Sequence, residues 1–330
     1  MRRRDVLAVL VGALAPRPLT AFAQPNDRLR TIGVLIGLSD GDPEISQRAA
    51  AFEMGLRDFG WTPGRNIRVE YRFAADADRL QALAKELISL QPEALVAANT
   101  FVTAVVLRET RTIPVVFVSA SDPIGDGFVS SLARPGGNAT GFTNSIGSMG
   151  GKWLELLKEI APSVERAAIM FNPPSAPSRG EYFLKPFETA AGSIKVKALA
   201  MPVESGADIE RALADLGREP GGGLVVTPDN FTTVNRRLII AEAAKHRVPA
   251  IYSTPQFASD GGLIAYGTDL LELYRHAPFY IDHILKGAKP ADLPVQSPTK
   301  FEMVINLKTA KALGLAVSPI MIARANEVIE

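Results

Sequence analysis

Polar residues recur in this sequence directly after short apolar runs. Ser39 and Asp40, for example, follow the apolar run at residues 31–38. The residues in this position are Ser39, Asp40, Asn99, Thr100, Ser119, Ser121, Asp122, Asn172, Asp229, Tyr252 and Tyr266. Hydroxyl, amide and carboxylate groups with few cations among them suit a small polar or zwitterionic ligand. Ser, Thr, Asn and Asp also cap helix N-termini, so these residues have a structural interpretation as well.

Ser39 also lies in the only short motif that indicates covalent catalysis. Residues 37–41 read Gly-Leu-Ser-Asp-Gly and match the G-x-S-x-G pattern of serine hydrolases. In those enzymes the serine lies on a sharp turn that runs straight into a helix, whereas Asp42 and Pro43 delay the next helix here. None of the three histidines closes a D-x-x-H sequence. We therefore expect a protein that is not an enzyme, with a secreted hydrolase using Ser39 as the alternative.

The composition indicates neither a metal, a cofactor nor a nucleic-acid partner. The chain has 0 cysteines, which excludes thiolate metal sites. Asp40, Asp42 and Glu44 lack the spacing of a calcium loop, and acidic residues at a helix start stabilise its N-terminal dipole. Neither a G-x-G-x-x-G nor a P-loop sequence occurs. With 36 Lys+Arg against 35 Asp+Glu, the net charge of +1 offers no electrostatic attraction for nucleic acid.

The N-terminus has the pattern of an export signal. Residues 1–23 begin with Arg2, Arg3 and Arg4, continue with an apolar run and end in Ala-Phe-Ala. The apolar run of about ten residues is too short to span a bilayer. We predict cleavage after Ala23, export by the Sec or twin-arginine route and a periplasmic location. An uncleaved membrane anchor or an amphipathic N-terminal helix is the alternative.

The remaining chain alternates apolar runs with amphipathic segments. The predicted strands lie at residues 31–38, 66–73, 94–98, 113–119, 138–143, 166–171, 195–201, 223–227, 250–253, 263–267 and 301–306. Continuous apolar strands separated by helices predict parallel sheets covered on both faces. Two such runs predict an α/β protein with two doubly wound lobes, in which ligands bind beyond the carboxyl ends of the strands. Residues 126–132 are expected to form a short helix, and residues 234–246 a longer one.

Several stretches resemble the family of ABC transporter substrate-binding proteins that includes the tryptophan- and phenylalanine-type binding proteins. These stretches are residues 113–141, 248–252, 261–269, 284–293 and 299–315. The resemblance implies a type I periplasmic binding fold, with two Rossmann-like lobes joined by three crossings. The crossings would lie near residues 141–145, 267–269 and 292–298. The first lobe would contain residues 31–140 and 268–293, and the second residues 141–267 and 294–330.

The resemblance also implies a function for the polar residues at the strand ends. They would face each other across one cleft of a monomeric receptor that delivers a solute to an ABC permease in the inner membrane. For an amino acid, Ser119, Ser121 and Thr100 could bind the carboxylate, and Asp229 or Asp122 the ammonium group. A ligand-sensing partner of a membrane signalling protein would use the same cleft and remains an alternative.

Overall fold

Twelve strands form two separate sheets in the computed structural model, which describes residues 29–330. The strands are β1 (Arg30–Ile36), β2 (Ile67–Phe73), β3 (Ala94–Ala98), β4 (Val115–Ala120), β5 (Ala139–Thr143), β6 (Arg166–Phe171), β7 (Lys197–Pro202), β8 (Gly222–Val226), β9 (Ala250–Tyr252), β10 (Ile264–Gly267), β11 (Glu302–Asn306) and β12 (Glu327–Ile329). The first sheet has the order β2-β1-β3-β4-β5, and the second has the order β12-β11-β10-β9-β8-β6-β7. Neighbouring strands are parallel except β10 and β11.

Helices connect most of these strands and cover the sheets. They are α1 (Pro43–Asp58), α2 (Ala77–Ser89), α3 (Asn99–Glu109), α4 (Met149–Ile160), α5 (Glu181–Ser193), α6 (Gly206–Gly217), α7 (Asn230–Val234), α8 (Arg236–Lys245), α9 (Pro255–Ser259), α10 (Leu270–Leu285), α11 (Leu307–Leu313) and α12 (Pro319–Arg324). Short 3₁₀ turns lie at Pro177–Gly180 and Pro290–Asp292. Within residues 29–330, the structure has no helix with the length and hydrophobicity needed to cross a bilayer.

Each sheet has an apolar core on both faces, which explains why its central strands carry so few polar residues. All five residues of β3 are buried, and so are all six of β4. One face of the first sheet packs on α1 and α10, with Phe52 and Tyr280 in that core. In the second sheet, Trp153 of α4 and Phe183 of α5 pack together with ring centroids 5.1 Å apart. Burial on both faces requires apolar side chains throughout the strand, as the sequence predicted.

The chain passes between the two sheets at three places. It leaves the first sheet after β5, returns through the segment between β10 and α10, and leaves again after the 3₁₀ turn Pro290–Asp292. The crossings contact one another: the Thr268 hydroxyl donates to the Asn144 carbonyl over 2.6 Å, and the Thr143 N–H donates to the Gln296 carbonyl over 2.9 Å. We refer to the two sheets with their covering helices as the first and second lobes.

Three local details differ from the sequence expectations. The predicted lobe boundary at residue 140 lies inside β5, which pairs with β4 through Thr143. Residues 126–132 form turns and bends instead of a helix, since Gly127 adopts a φ of 73° that interrupts helical geometry. The helix expected at residues 234–246 is divided at Asn235 into α7 and α8.

Candidate functional site

A cavity lies between the lobes, at the carboxyl ends of the strands of both sheets. Its walls include Gly37, Glu44, Arg48, Asn99, Ser119, Asn144, Asp229, Arg236, Thr254, Phe257, Leu270 and Tyr274. The cavity measures about 30 Å³, which is room for about two water molecules. A second cavity of about 10 Å³ adjoins it and shares Asn144, Pro228, Thr254 and Leu270 with it. A larger ligand therefore requires the lobes to move apart.

Asn99 and Ser119 line this cavity in an unusual backbone conformation. Their φ angles are 65° and 72°, in the left-handed region that residues other than glycine seldom adopt. Both occur at the carboxyl ends of central strands, β3 and β4, where the chain turns away from the sheet. Backbone strain of this kind concentrates at functional sites, where the surrounding structure maintains it. The conformation thus supports this cavity as the functional site.

Asp229 also lines the cavity, and its carboxylate organises the loop after β8. It accepts hydrogen bonds from the Asn172 N–H over 3.0 Å and from the Thr232 N–H over 2.8 Å, and so caps α7. Burial raises the pKa of Asp229 to about 6, although these hydrogen bonds act in the opposite direction. Its negative charge is therefore present at pH 7 and is sensitive to mild acid.

Thr100, Ser121 and Asn172 are buried behind the cavity wall. The Ser121 N–H donates to the Thr100 hydroxyl over 3.0 Å, and the Ser121 hydroxyl donates to Asn144 Oδ1 over 2.9 Å. The Asn172 side chain donates to the Val203 carbonyl over 2.8 Å. These residues support others that face the cavity, and direct ligand contact by them remains a prediction.

The other residues predicted for the site lie elsewhere. Ser39 and Asp40 are exposed beyond β1, and Asp122 lies outside the cavity. Tyr252 is buried in the core of the second lobe, where its ring stacks on Phe257 with centroids 4.8 Å apart. Tyr266 is partly buried and packs against the core around Trp153. Ligand contact by these five residues is not supported by their positions.

Two buried arginines contradict the expectation of a cleft with few cations. Arg48 of α1 pairs with Glu44 one turn earlier, and its guanidinium lies 5.7 Å from the ring centroid of Tyr274. Arg48 Nε and Tyr274 Oη are both buried and form no hydrogen bond of normal geometry among residues 29–330, although the guanidinium and the phenol lie close to each other. Glu44 and Arg48 have the i, i+4 spacing of an ordinary surface pair, so the sequence contains no signal that both are buried.

The second arginine, Arg236 of α8, connects the two lobes. Its guanidinium donates to both carboxylate oxygens of Asp42 in the first lobe, over 2.8 and 3.1 Å, and to Asp260 in the second lobe over 2.7 Å. Glu44 lies 3.7 Å away. Burial would raise the pKa of Asp42, but the hydrogen bonds from Arg236 and the Glu44 N–H lower it below its usual value. We call Asp42, Glu44, Arg236 and Asp260 the arginine clasp.

A second connection between the lobes uses neutral donors. The Ser178 hydroxyl in the second lobe donates to Asp122 over 2.7 Å, and the Ser178 N–H donates to Asp126 over 2.8 Å. Burial, with a smaller effect of the neighbouring Asp122 charge, raises the pKa of Asp126 to about 6. We call Asp122, Asp126 and Ser178 the serine clasp.

Between the two clasps, the lobes approach each other at Asn99 and Asn230. The Asn99 side chain donates to Asn230 Oδ1 over 2.9 Å. A Cβ atom at Gly37 would lie 2.1 Å from the same oxygen and 2.9 Å from Val102. Glycine is required at position 37 because no side chain fits between the lobes there.

The geometry does not support catalysis by Ser39 or a metal site. Ser39 is exposed, and the rings of His246, His276 and His283 contact residues of their own helices. Within the part of the chain that the structure describes, no group of three or more His, Cys, Asp or Glu residues could hold a metal ion. The acidic residues after β1 serve instead as a helix cap and as partners of the two buried arginines.

Comparisons with known proteins agree with this architecture. The chain is 24% identical over 328 residues to the tyrosine-binding protein of Clostridioides difficile (strain R20291), covering 96% of this chain and 94% of that protein. Its fold is similar to an ABC domain from Streptococcus pneumonia solved in complex with L-Trp (24% identity, TM-score 0.83, 91% of this chain and 100% of that one). It is also similar to GanP, a glucose-galactose binding protein from Geobacillus stearothermophilus (12% identity, TM-score 0.59, 84% and 97%).

The fold is therefore that of the type I periplasmic binding proteins, as the sequence resemblance implied. The family model for the ABC transporter substrate binding protein matches residues 32–329. This is a family of proteins that bind a solute and do not transform it. The chain belongs to the family of ABC transporter substrate-binding proteins.

Proposed function

We propose that this protein is an exported receptor that binds an aromatic amino acid between its lobes and delivers it to the permease of an ABC importer. The name of the Clostridioides difficile relative and the L-Trp complex of the Streptococcus pneumonia relative support this class of ligand. The signal-like pattern of residues 1–23, which lie outside the described residues, supports export to the periplasm.

Two buried polar groups that lack hydrogen bonds of normal geometry among residues 29–330 support this class of ligand most directly. Arg48 Nε and Tyr274 Oη are buried donors, and both residues line the space between the lobes. Buried polar groups in folded proteins are normally hydrogen-bonded, so each such exception requires an explanation. A carboxylate has two oxygens and accepts hydrogen bonds from a guanidinium and a phenol at once. Ser119 is a further candidate for this carboxylate.

The cavity also offers negative charge for an ammonium group. Glu44 and Asp229 line it together with Arg48, so both signs of charge border the same small space. A zwitterion can interact with groups of both signs there, whereas a neutral sugar makes no use of either charge. Asp229 remains the predicted partner of the ammonium group, and Glu44, which also lines the cavity, is a second candidate.

Cleft closure would couple ligand binding to transport. A solute that contacts both lobes stabilises the closed arrangement, because part of its contacts exists only there. A permease can then distinguish the loaded receptor from the empty one by the relative position of the lobes.

A ligand screen tests this function directly. L-tyrosine, L-tryptophan and L-phenylalanine are compared with a sugar and a purine by thermal unfolding and calorimetry of the mature chain. A ligand at 100 times its Kd stabilises the folded protein by about 2.7 kcal/mol. If no L-amino acid binds, the proposal is wrong.

The Tyr274→Phe variant tests the carboxylate site. It removes a hydroxyl that makes no hydrogen bond of normal geometry among residues 29–330, so the free protein should keep most of its stability while its affinity for the amino acid falls about tenfold. Tyr71→Phe is a matched control, because Tyr71 Oη is also buried without a partner but the residue does not line the cavity. Equal affinities of the two variants would contradict the assignment of Tyr274.

A further inference from the structure

The two adjoining cavities differ in chemical character. The larger one is bordered by Glu44, Arg48, Asp229 and Arg236, which are all charged groups. The smaller one is bordered by Met149 and Trp153 together with small polar residues, and its lining among residues 29–330 contains no charged residue. A ligand that occupies both would place its charged end in the first and a largely apolar group in the second.

Ser253 stands out among the residues of the smaller cavity. It follows β9 directly, is 5% exposed, and its hydroxyl has no hydrogen-bond partner among residues 29–330. Three other polar groups nearby are paired: Ser145 Oγ donates to Asn144 Oδ1, Thr268 Oγ1 donates to the Asn144 carbonyl, and Trp153 Nε1 donates to the Tyr266 carbonyl. A buried hydroxyl at the edge of a cavity, unused by the protein, is free to bind a group that enters it.

We propose that Ser253 selects aromatic amino acids whose side chain carries a hydrogen-bond donor, such as a phenol hydroxyl or an indole N–H. The inference rests on the proposed function and deepens it, because it requires the charged end of the ligand to lie at Arg48 and Tyr274. The Ser253 oxygen accepts from the donor at the far end of the ligand, while Trp153 and Met149 contact its apolar surface. A site that offers a buried hydrogen-bonding group discriminates against an analogue that lacks the matching group.

Two pairs of ligands isolate this hydrogen bond. L-tyrosine differs from L-phenylalanine only in the phenol hydroxyl, and L-tryptophan differs from 3-benzothienyl-L-alanine in the replacement of N–H by sulfur. In the wild-type protein, the member with the donor should bind about tenfold more tightly in at least one pair. In Ser253→Ala that ratio should fall to about one.

Ser205→Ala provides the matched control. Ser205 lies in the same lobe, is exposed, and caps α6 by accepting from the Asp208 N–H. This variant should lose some stability and keep the wild-type preference, whereas Ser253→Ala should keep its stability and lose the preference. Both variants are checked by urea unfolding before binding is measured by calorimetry.

The possible results separate this inference from the proposed function. If wild-type protein binds an aromatic amino acid but does not distinguish the members of either pair, the role of Ser253 is wrong and the receptor function stands. If Ser253→Ala keeps the wild-type preference for the ligand with the donor, the role of Ser253 is likewise wrong and the receptor function stands. If wild-type protein binds no aromatic amino acid, the proposed ligand class itself is wrong.

Discussion

The arginine clasp and the serine clasp both join the lobes, but they do so with different chemistry. In the arginine clasp, a guanidinium that is 4% exposed binds Asp42 through two nearly parallel hydrogen bonds and Asp260 through a third. In the serine clasp, two neighbouring carboxylates receive only neutral donors, and Asp126 Oδ2 is buried without a partner among residues 29–330. The carboxylates make the hydrogen bonds of both clasps charge-assisted, but the arginine clasp adds a cation and a bidentate arrangement, which bind Asp42 more strongly than a neutral donor does.

The two clasps therefore contribute differently to closure of the cleft, each on its own side. Asp42 follows β1 and Asp122 follows β4, so the clasps lie on either side of the Asn99–Asn230 contact beyond β3. Separation of the lobes would break both clasps, and each therefore favours the closed arrangement by its own strength. We expect the arginine clasp to dominate closure and the serine clasp to make it sensitive to pH.

The largest effect is expected for Arg236→Met. The substitution removes the cation that binds Asp42 and Asp260 while Arg48 stays paired with Glu44, and removal of one partner from a buried ion pair costs about 3 kcal/mol or more. Urea unfolding should show this loss, and calorimetry a fall in ligand affinity of about a hundredfold. Arg237→Met is the control, because Arg237 is the exposed neighbour on the same helix. Similar stability of the two variants would contradict the importance of the arginine clasp.

Asp42→Asn should have a smaller and more selective effect. Asparagine caps a helix as well as aspartate does, so α1 should remain stable while Arg236 loses the nearer of its two charged partners in the opposite lobe. Ligand affinity measured by calorimetry should fall about tenfold with little change in the unfolding midpoint. Asp76→Asn, at the exposed N-cap of α2, should change neither quantity. An equal fall in affinity for both variants would show that the effect does not come from the clasp.

Ser178→Ala tests the serine clasp in the same assay. The variant loses the hydroxyl bond to Asp122 but keeps the backbone N–H that donates to Asp126. One hydrogen bond of this kind corresponds to a fall in affinity of about threefold. Ser163→Ala, an exposed serine of the second lobe, is the control. A loss as large as that of Asp42→Asn would overturn the ranking of the two clasps.

The smallest effect concerns pH. Burial raises the pKa of Asp126 to about 6, and we expect separation of the lobes to return it to its usual value of about 4, so the closed form should bind more protons between these values. Protonation of Asp126 should therefore favour closure as the pH falls from 7 to 5, whereas protonation of Asp229, the predicted partner of the ammonium group, should weaken ligand binding in the same range. Asp122 and Tyr182 are the titratable neighbours, and Asp229 titrates in the same range.

Asp126→Asn isolates this contribution, because Asp229 is unchanged in the variant. Calorimetry at pH 5, 6 and 7 should show the affinity of the wild type increasing relative to that of Asp126→Asn as the pH falls. Identical pH profiles would show that Asp126 does not titrate with closure.

Part of the candidate site could be predicted from the sequence. Asn99, Ser119 and Asp229 follow apolar strands, and the structure places all three on the cavity because the carboxyl ends of parallel strands meet at one edge of a sheet. The same rule also selected Tyr252, which packs into the core instead. Position after a strand therefore identifies the correct edge of the sheet, but it does not decide which side chains face the ligand.

The two-lobed α/β architecture and the family could be predicted from the sequence, since continuous apolar strands and amphipathic helices are properties of neighbouring residues. The three-dimensional structure was needed to show that Arg48 and Arg236 are buried, that the Ser253 hydroxyl lacks a partner among residues 29–330, and that Ser178 meets Asp122. Arg236 and Asp42 are 194 residues apart in the chain. The interaction energy of such an ion pair depends on its burial and on the distance between the charges. Both depend on how the two lobes approach each other, and no local sequence pattern predicts them.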